Sequence, residues 1–397
     1  MADFGGDVEA FRAEARAWLD ENFPPSLKTT AGRRAATADA KLWRERVAAQ
    51  GWGAPTWPRE YGGAGLSRAE ARVVAEEMAR AGAYNPIGGL GIMSIGPTIL
   101  ELGTPEQKAR HLPHIARGEF EWCQGYSEPG AGSDLASLQT KCEDKGDHWL
   151  INGQKIWTSV ANLADWCFCL VRTDPAAKKH EGISCVLIDM RQPGVETRPI
   201  KLINGDSPFC ETFFTDVHAA KDDVIGPLNG GWTIAKRLLQ FERDNISIGL
   251  GAGALGSPAA APLAVEDYAR RYVGLDDEGR LADPDLRKRL VEHKMEHQAF
   301  QLTLARAADE AKSNQGPSNA ASIMKYAGAK IAQDRAELIV EAMGANGLGW
   351  EGDGFDGQEL AQTRAWLRSK ANSIEGGSSE INLNVVSKRV LGLPDPK

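Results

Sequence analysis

The chain has 397 residues, 42% hydrophobic and 25% charged, enough to bury a sizeable core in two or three domains. Its 46 basic and 54 acidic side chains leave a net charge of −8, which argues against a general nucleic-acid role while allowing a local arginine to hold a small anion. Six cysteines, Cys123, Cys142, Cys167, Cys169, Cys185 and Cys210, form no CxxC pair and no zinc spacing, so buried thiols of a cytoplasmic protein and no metal centre are expected.

The opening residues, Met1 to Leu27, are acidic and place Val8, Phe11, Ala15, Trp18 and Leu19 on one helical face. They lack the basic start and apolar run of a secretion signal. No stretch is long and apolar enough to span a membrane. Two helix starts stand out: Ser67-Arg68-Ala69-Glu70 is a capping box, and Thr104-Pro105-Glu106-Gln107 combines a capping threonine, a first-turn proline and a glutamine at the third position. Between them, Trp57-Pro58-Arg59-Glu60-Tyr61-Gly62-Gly63 reads as a loop.

From about residue 119 to 232 the texture changes to short apolar runs broken by Gly, Pro, Asn and Asp, the pattern of a small antiparallel β-domain. Within it, Gly125-Tyr126-Ser127-Glu128-Pro129-Gly130-Ala131-Gly132-Ser133-Asp134 is a small-residue, hydroxyl-rich loop suited to close approach by an anionic cofactor. Asn152-Gly153, between apolar runs and just before Trp157-Thr158-Ser159, predicts a tight hairpin turn.

After Gly230-Gly231-Trp232 the pattern is helical to the end of the chain. Gly251-Ala252-Gly253-Ala254-Leu255-Gly256 satisfies GxGxxG, but no strand precedes it, so it reads as small residues at a helix contact rather than a dinucleotide turn. Asp283-Pro284 predicts the start of a long helix, on which Arg287 and Gln298, eleven residues apart, share one face. Gly344 to Gly357 is a glycine-rich break.

The loop at 125–134 followed by the Trp-Thr-Ser segment resembles the flavin-binding region of the acyl-CoA dehydrogenase family, and the order helices, strands, helices resembles its plan. The loop at Trp57–Gly63 also has a counterpart there. The resemblance implies an α+β fold: an N-terminal helical domain (1–118), a central antiparallel β-domain (119–232) and a C-terminal helical bundle (233–397). It implies FAD as cofactor, with Gln124, Tyr126 and Ser127 contacting the flavin, Trp157 and Ser159 lining its ring, and Gly132 and Ser133 facing pyrophosphate or the CoA portion. It further implies that Arg287, Gln298 and the turn at Gly344 reach the FAD of a neighbouring subunit, and that Ser378 belongs to the cofactor site. Here the chain departs from the family, carrying Leu290-Val291 where Phe-Gly is usual and an apparent insertion near Gly274 to Asp285.

The family's α,β-desaturation of an acyl-CoA thioester needs a carboxylate to remove the α-proton and a polarised thioester carbonyl. Two glutamates match the family's two base positions. Glu242, followed by Arg243 as a substrate-binding residue, corresponds to the helix-borne base and is preferred. Glu375 lies one residue before the C-terminal-loop position, where Gly376 stands and could offer its amide to the carbonyl. The implied partners are acyl-CoA and electron-transfer flavoprotein, in a homodimer or tetramer or in a heterotetramer. A same-fold oxidase or monooxygenase, and a non-catalytic subunit of a heteromeric dehydrogenase, are the alternatives. Tyr84, Ile92 and Met93 are equally readable as acyl-pocket lining or as core.

Overall fold

The computed structural model describes residues 8–28, 37–238, 264–312 and 321–394. It divides into two compact units, Met1–Ile200 with Pro208–Ala260 and Lys201–Ser207 with Ala261–Lys397.

The first unit begins with helices. α1 (Val8–Asn22) buries Phe11, Ala15 and Leu19, the spacing that aligns one helical face. α2 (Ala38–Ala49) buries Trp43 and Val47 in the same cluster. α3 (Arg68–Ala81) starts at the predicted capping box: Ser67 Oγ accepts from Glu70 N at 3.2 Å and Glu70 Oε2 from Ser67 N at 2.8 Å. After α4 (Gly96–Leu102), α5 (Pro105–Ala116) opens with the same reciprocal pair between Thr104 and Gln107. A π-turn at Gly91–Ile95 precedes α4, and Gly96 is required there because a Cβ would lie 2.2 Å from the Trp57 ring. Tyr84 and Ile92 pack partly buried against the helical core, and the Tyr84 carbonyl accepts from Trp43 Nε1 at 2.8 Å.

Among the described residues eight strands follow: β1 (Trp122–Gly125), β2 (Lys141–Asp144), β3 (His148–Ser159), β4 (Trp166–Arg172), β5 (Ile183–Asp189), β6 (Val195–Ile200), β7 (Phe209–Ala220) and β8 (Val224–Ile225). The sheet order is β6-β7-β3-β2-β4-β5-β8, with β1 beside β4. Pairing is antiparallel except that β1 runs parallel to β4 and β2 meets β4 at one parallel pair, so the sheet is mixed. One core joins helices to sheet, with Trp57, Ile99 and Leu112 packed among Trp122, Phe168, Leu170 and Leu187. Residues 231–238 are helical and add Ile234, Ala235 and Leu238 to that core. All six cysteines are free and buried, and burial pushes the Cys142 thiol up to about 12.

Asn152 and Gly153 do not make the predicted hairpin turn. They lie inside β3, where the register against β7 shifts between Ile151↔Val217 and Gly153↔Phe214. The extra residue belongs to β7, and Asp216 takes φ 50° there. Asn152 Nδ2 donates to Asp216 Oδ1 at 3.0 Å while Asp216 N donates to Asn152 Oδ1 at 2.9 Å, so the asparagine brackets a bulge. Glycine follows because a Cβ at 153 would stand 2.7 Å from Thr140 Cα. The β2–β3 turn is made instead by Lys145, Gly146 and Asp147, with Gly146 at φ 92°.

The second unit is helical: α6 (Val265–Tyr272), α7 (Pro284–Lys312), α8 (Ala321–Met343), α9 (Gly357–Ser369) and α10 (Ser379–Val385). α7 starts where predicted, with Asp283 Oδ1 accepting from Leu286 N at 2.9 Å. Leu286, Leu338, Ile339 and Met343 form the core with Val265 and Tyr268. Among the described residues no helix is long and apolar enough to cross a membrane.

Candidate active site

A second bulge, this one in β3, shapes an unusual surface of the first unit. Lys155 pairs with Thr212 and Thr158 with Cys210, so Ile156 and Trp157 stand opposite Glu211 alone. Trp157 takes φ 61°, a conformation that a bulky side chain reaches only under strain, and its indole is 52% exposed. Phe209 meets it edge-on at 6.2 Å. Val160, directly after the half-buried Ser159, is also left-handed, at φ 49°. Thr158 itself is fully buried, and its Oγ1 has no hydrogen-bond partner among the described residues.

The small-residue loop runs alongside. Its entry strand β1 lies tight beside β4, since a Cβ on Gly125 would meet Cys167 Sγ and Cys169 Sγ at 2.9 Å each. Tyr126 is buried, Gln124 and Ser127 are half-buried, and Gly132 and Ser133 are exposed. Ile156 N donates to the Ser127 carbonyl at 2.9 Å, so the structure brings the predicted loop and the Trp-Thr-Ser segment together. Glu128 and Ala131 exchange backbone hydrogen bonds of 3.1 and 3.0 Å around Pro129-Gly130. A Cβ at Gly130 or Gly132 would meet nothing within 4 Å, so the chain's own packing does not explain glycine there and the backbone is open to a ligand. An uncovered indole, two flanking serines and an open glycine loop fit a flat, polar ring system carrying an anionic tail.

Two residues beneath this surface escaped the sequence reading. Lys155 is 0% exposed, and its Nζ lies 2.8 Å from Glu128 Oε1 and 3.1 Å from the Tyr126 carbonyl. A signal existed: Trp149, Ile151 and Lys155 share the inward register of β3, where a lysine is out of place unless paired.

In the second unit, Arg287 Nη1 donates to the Leu281 carbonyl at 3.1 Å and stands 3.9 Å from Asp276 Oδ2. Both partners come from the inserted segment, closed by a Leu275↔Leu281 bridge. Arg287 also lines a pocket of about 220 Å³ with Arg270, Lys294 and Glu266. Gln298 is exposed farther along α7. Gly344, at φ 55°, opens a short helical turn to Leu348, braced by Asn346 Nδ2 donating to Glu359 Oε1 at 2.6 Å. Both Glu375 oxygens are engaged by Arg368, at 2.8 and 3.3 Å. Gly376 and Gly377 are left-handed at φ 62° and 93°, and Ser378 Oγ caps α10 by accepting from Ile381 N at 3.3 Å. Glu242, Arg243 and the 251–256 glycine motif lie outside the described residues.

Three family models match in succession: acyl-CoA dehydrogenase, N-terminal domain, over residues 6–119; middle domain, over 123–217; and C-terminal domain, over 229–391. The chain is 38% identical over 398 residues to acyl-CoA dehydrogenase IpdE1 of Mycobacterium tuberculosis, covering 98% of each protein. Among solved structures it is similar to the Tcur3481–Tcur3483 steroid ACAD, with TM-score 0.74, 29% identity and 98% coverage of both chains. It is also similar to a chain of the ChsE4–ChsE5 complex from Mycobacterium tuberculosis, with TM-score 0.72, 28% identity and full coverage of both.

Proposed function

Given that this chain belongs to the acyl-CoA dehydrogenase family, we propose that it converts an acyl-CoA thioester to the trans-2-enoyl-CoA and passes the electrons to an electron-transfer flavoprotein. The family is FAD-dependent, and FAD when bound supplies the acceptor for the β-hydrogen. One observation carries the placement of the flavin: the uncovered Trp157 indole, held at φ 61° beside the 125–134 loop. Gln124, Tyr126, Ser127, Trp157 and Ser159 would hold the ring, and Gly132 and Ser133 the phosphate or CoA portion. Arg287, Gln298 and the Gly344 turn would serve the FAD of a neighbouring subunit, with Ser378 completing the cofactor site.

The chain's own contribution is a base and a donor. A carboxylate removes the α-proton, which requires it to be shielded from water in the bound complex. Glu242 is the first choice and Glu375 the second; Arg243 would face the substrate. The Gly376 amide would hold the thioester carbonyl, a role independent of any side chain.

The oligomer reading is supported by α7, where Val291, Met295 and Leu302 are 54%, 66% and 62% exposed, a larger uncovered apolar stripe than a solvated helix carries. A heteromeric assembly deserves test beside the homomer, since both solved relatives carry two-protein names. One solved relative is a steroid ACAD, which puts bulky polycyclic acyl thioesters first among substrates. The test is an anaerobic titration of the purified chain with acyl-CoAs of graded length and bulk. Bleaching of the flavin band by one class supports the reading and names the acyl group. A flavin band that no thioester bleaches, with rapid oxygen consumption in air, moves the protein to the monooxygenase class.

A further inference from the structure

A lysine ammonium with no exposure is an expensive thing to place in a sheet. Removing the two charges of an ion pair from water costs several kcal/mol per ion on the order-of-magnitude scale, and well-packed apolar residues often serve stability as well or better. Lys155 nevertheless occupies an inward position of β3 at 0% exposure, with Glu128 at 8%. Both carboxylate oxygens of the pair are engaged. Glu128 Oε1 accepts from Lys155 Nζ at 2.8 Å, Thr140 N at 2.9 Å and Thr140 Oγ1 at 2.6 Å, and Oε2 accepts from Gln139 N at 2.6 Å. Burial alone would raise the Glu128 carboxyl, but the Lys155 charge and these hydrogen bonds hold it below its ordinary value, so it is ionised at neutral pH.

The position of the pair is what gives it a purpose. The same ammonium donates to the Tyr126 carbonyl at 3.1 Å, and the next residue, Ile156, ties the Ser127 carbonyl at 2.9 Å. Two successive loop carbonyls are therefore pinned by two successive residues at the start of the bulge that carries Trp157.

We propose that Lys155 and Glu128 are positioning residues whose buried contact sets the relative geometry of the 125–134 loop and the Trp157 bulge, and through it the affinity and environment of bound FAD. This rests on the placement of the flavin ring at that surface. Lys155 acts from beneath, since a side chain with no exposure cannot meet a ligand.

The experiment strips FAD from the protein and titrates it back into the parent, Lys155→Met, the double variant Lys155→Met/Glu128→Gln, and Trp157→Ala, reading affinity, the shape of the visible flavin band and apoprotein melting. Lys155→Met should weaken FAD by about tenfold or more, the equivalent of one charge-assisted hydrogen bond, and alter the band. It also leaves Glu128 buried without its counter-charge, so its melting temperature should fall. The double variant carries no unpaired buried charge, though its amide NH2 must face the N–H of Gln139 or of Thr140: it should regain part of the melting temperature while keeping the weak affinity and altered band. Recovery of affinity and band together with melting would overturn the proposal, because the pair would then serve stability alone. Parental affinity and band in both variants would overturn it as well. If Trp157→Ala changes the flavin while the Lys155 variants do not, the flavin placement stands and the positioning role falls. If Trp157→Ala changes nothing, the placement itself fails and the role falls with it.

Discussion

Ile156 donates its backbone N–H to the Ser127 carbonyl at 2.9 Å, and this bond fastens the small-residue loop to the bulge that lifts Trp157 out of β3. Ser127 stands out in the sequence and Ile156 does not, and nothing in the sequence joins them. The contact matters because it leaves a bulky aromatic at φ 61° and largely uncovered, an arrangement the fold tolerates at a strain cost of about 1–3 kcal/mol.

Trp157→Gly should separate folding from binding. Glycine adopts φ 61° without strain, and the indole is 52% exposed, so the apoprotein should melt at or slightly above the parental temperature while FAD affinity falls by at least roughly tenfold. Apoprotein calorimetry and FAD titration read the two effects independently. A large loss of apoprotein stability would assign the indole to the core instead.

The two glutamates can be told apart by flavin reduction. Glu242→Gln should slow reduction by acyl-CoA by about a thousandfold or more under anaerobic stopped flow, with FAD and acyl-CoA still bound. Glu375→Gln should stay within about tenfold of the parent, since both its oxygens are occupied by Arg368. The reverse ranking would move the base to the C-terminal loop, and near-parental rates in both would remove it from either glutamate.

Glu77 joins α1 to α3. Only 2% exposed, it receives Arg16 at 2.8 Å, Arg80 at 2.7 Å and Arg12 at 3.2 Å, and these guanidiniums, Arg16 foremost, hold its carboxyl at about 2 despite burial. A depressed carboxyl contributes stability that is present above its unfolded value near 4.5 and is lost as pH falls toward about 2. Glu77→Gln should therefore lower stability by about 3 kcal/mol at pH 7, with the gap to the parent narrowing below about pH 4. Urea midpoints at the two pH values check it.

His111 also gains a proton on acidification, but at higher pH than Glu77, and becomes charged where the carboxyl becomes neutral. Buried edge-on against the stacked Trp122 and Trp166 and beside Arg110, it is held down to about 4, by burial first and the Arg110 charge second. The neutral ring accepts at Nε2 from Arg110 Nε at 3.1 Å. Because the folded value lies below the ordinary 6.5, its contribution is complete above about 6.5 and is lost as pH falls through about 4, roughly 3 kcal/mol in all. His111→Phe should flatten the fall in stability between pH 6.5 and 4.5, measured as melting temperature against pH. An unchanged slope would show that the ring is not neutral in the fold.

What the sequence determines by itself here is local. Ser67 with Glu70, Thr104 with Gln107, and Asp283 ahead of Pro284 start helices where they were read, because a cap is satisfied within one turn by its own neighbours. The change from helical to strand texture and back is equally legible, since periodicity is a property of consecutive residues. The loop at 125–134 and the Trp-Thr-Ser segment were visible as segments. How they meet was decided by the sheet. Asn152-Gly153 has hairpin chemistry, but Asp216 and Thr140, distant in the chain, turn it into a bulge. The helix that carries Arg287 was legible from Asp283-Pro284, but the partners of Arg287, Leu281 and Asp276, come from the inserted segment. Lys155 could only be justified by Glu128 across the fold, because a buried charge is tolerable when its counter-charge is in place, and the folding of the 125–134 loop against β3 puts it there.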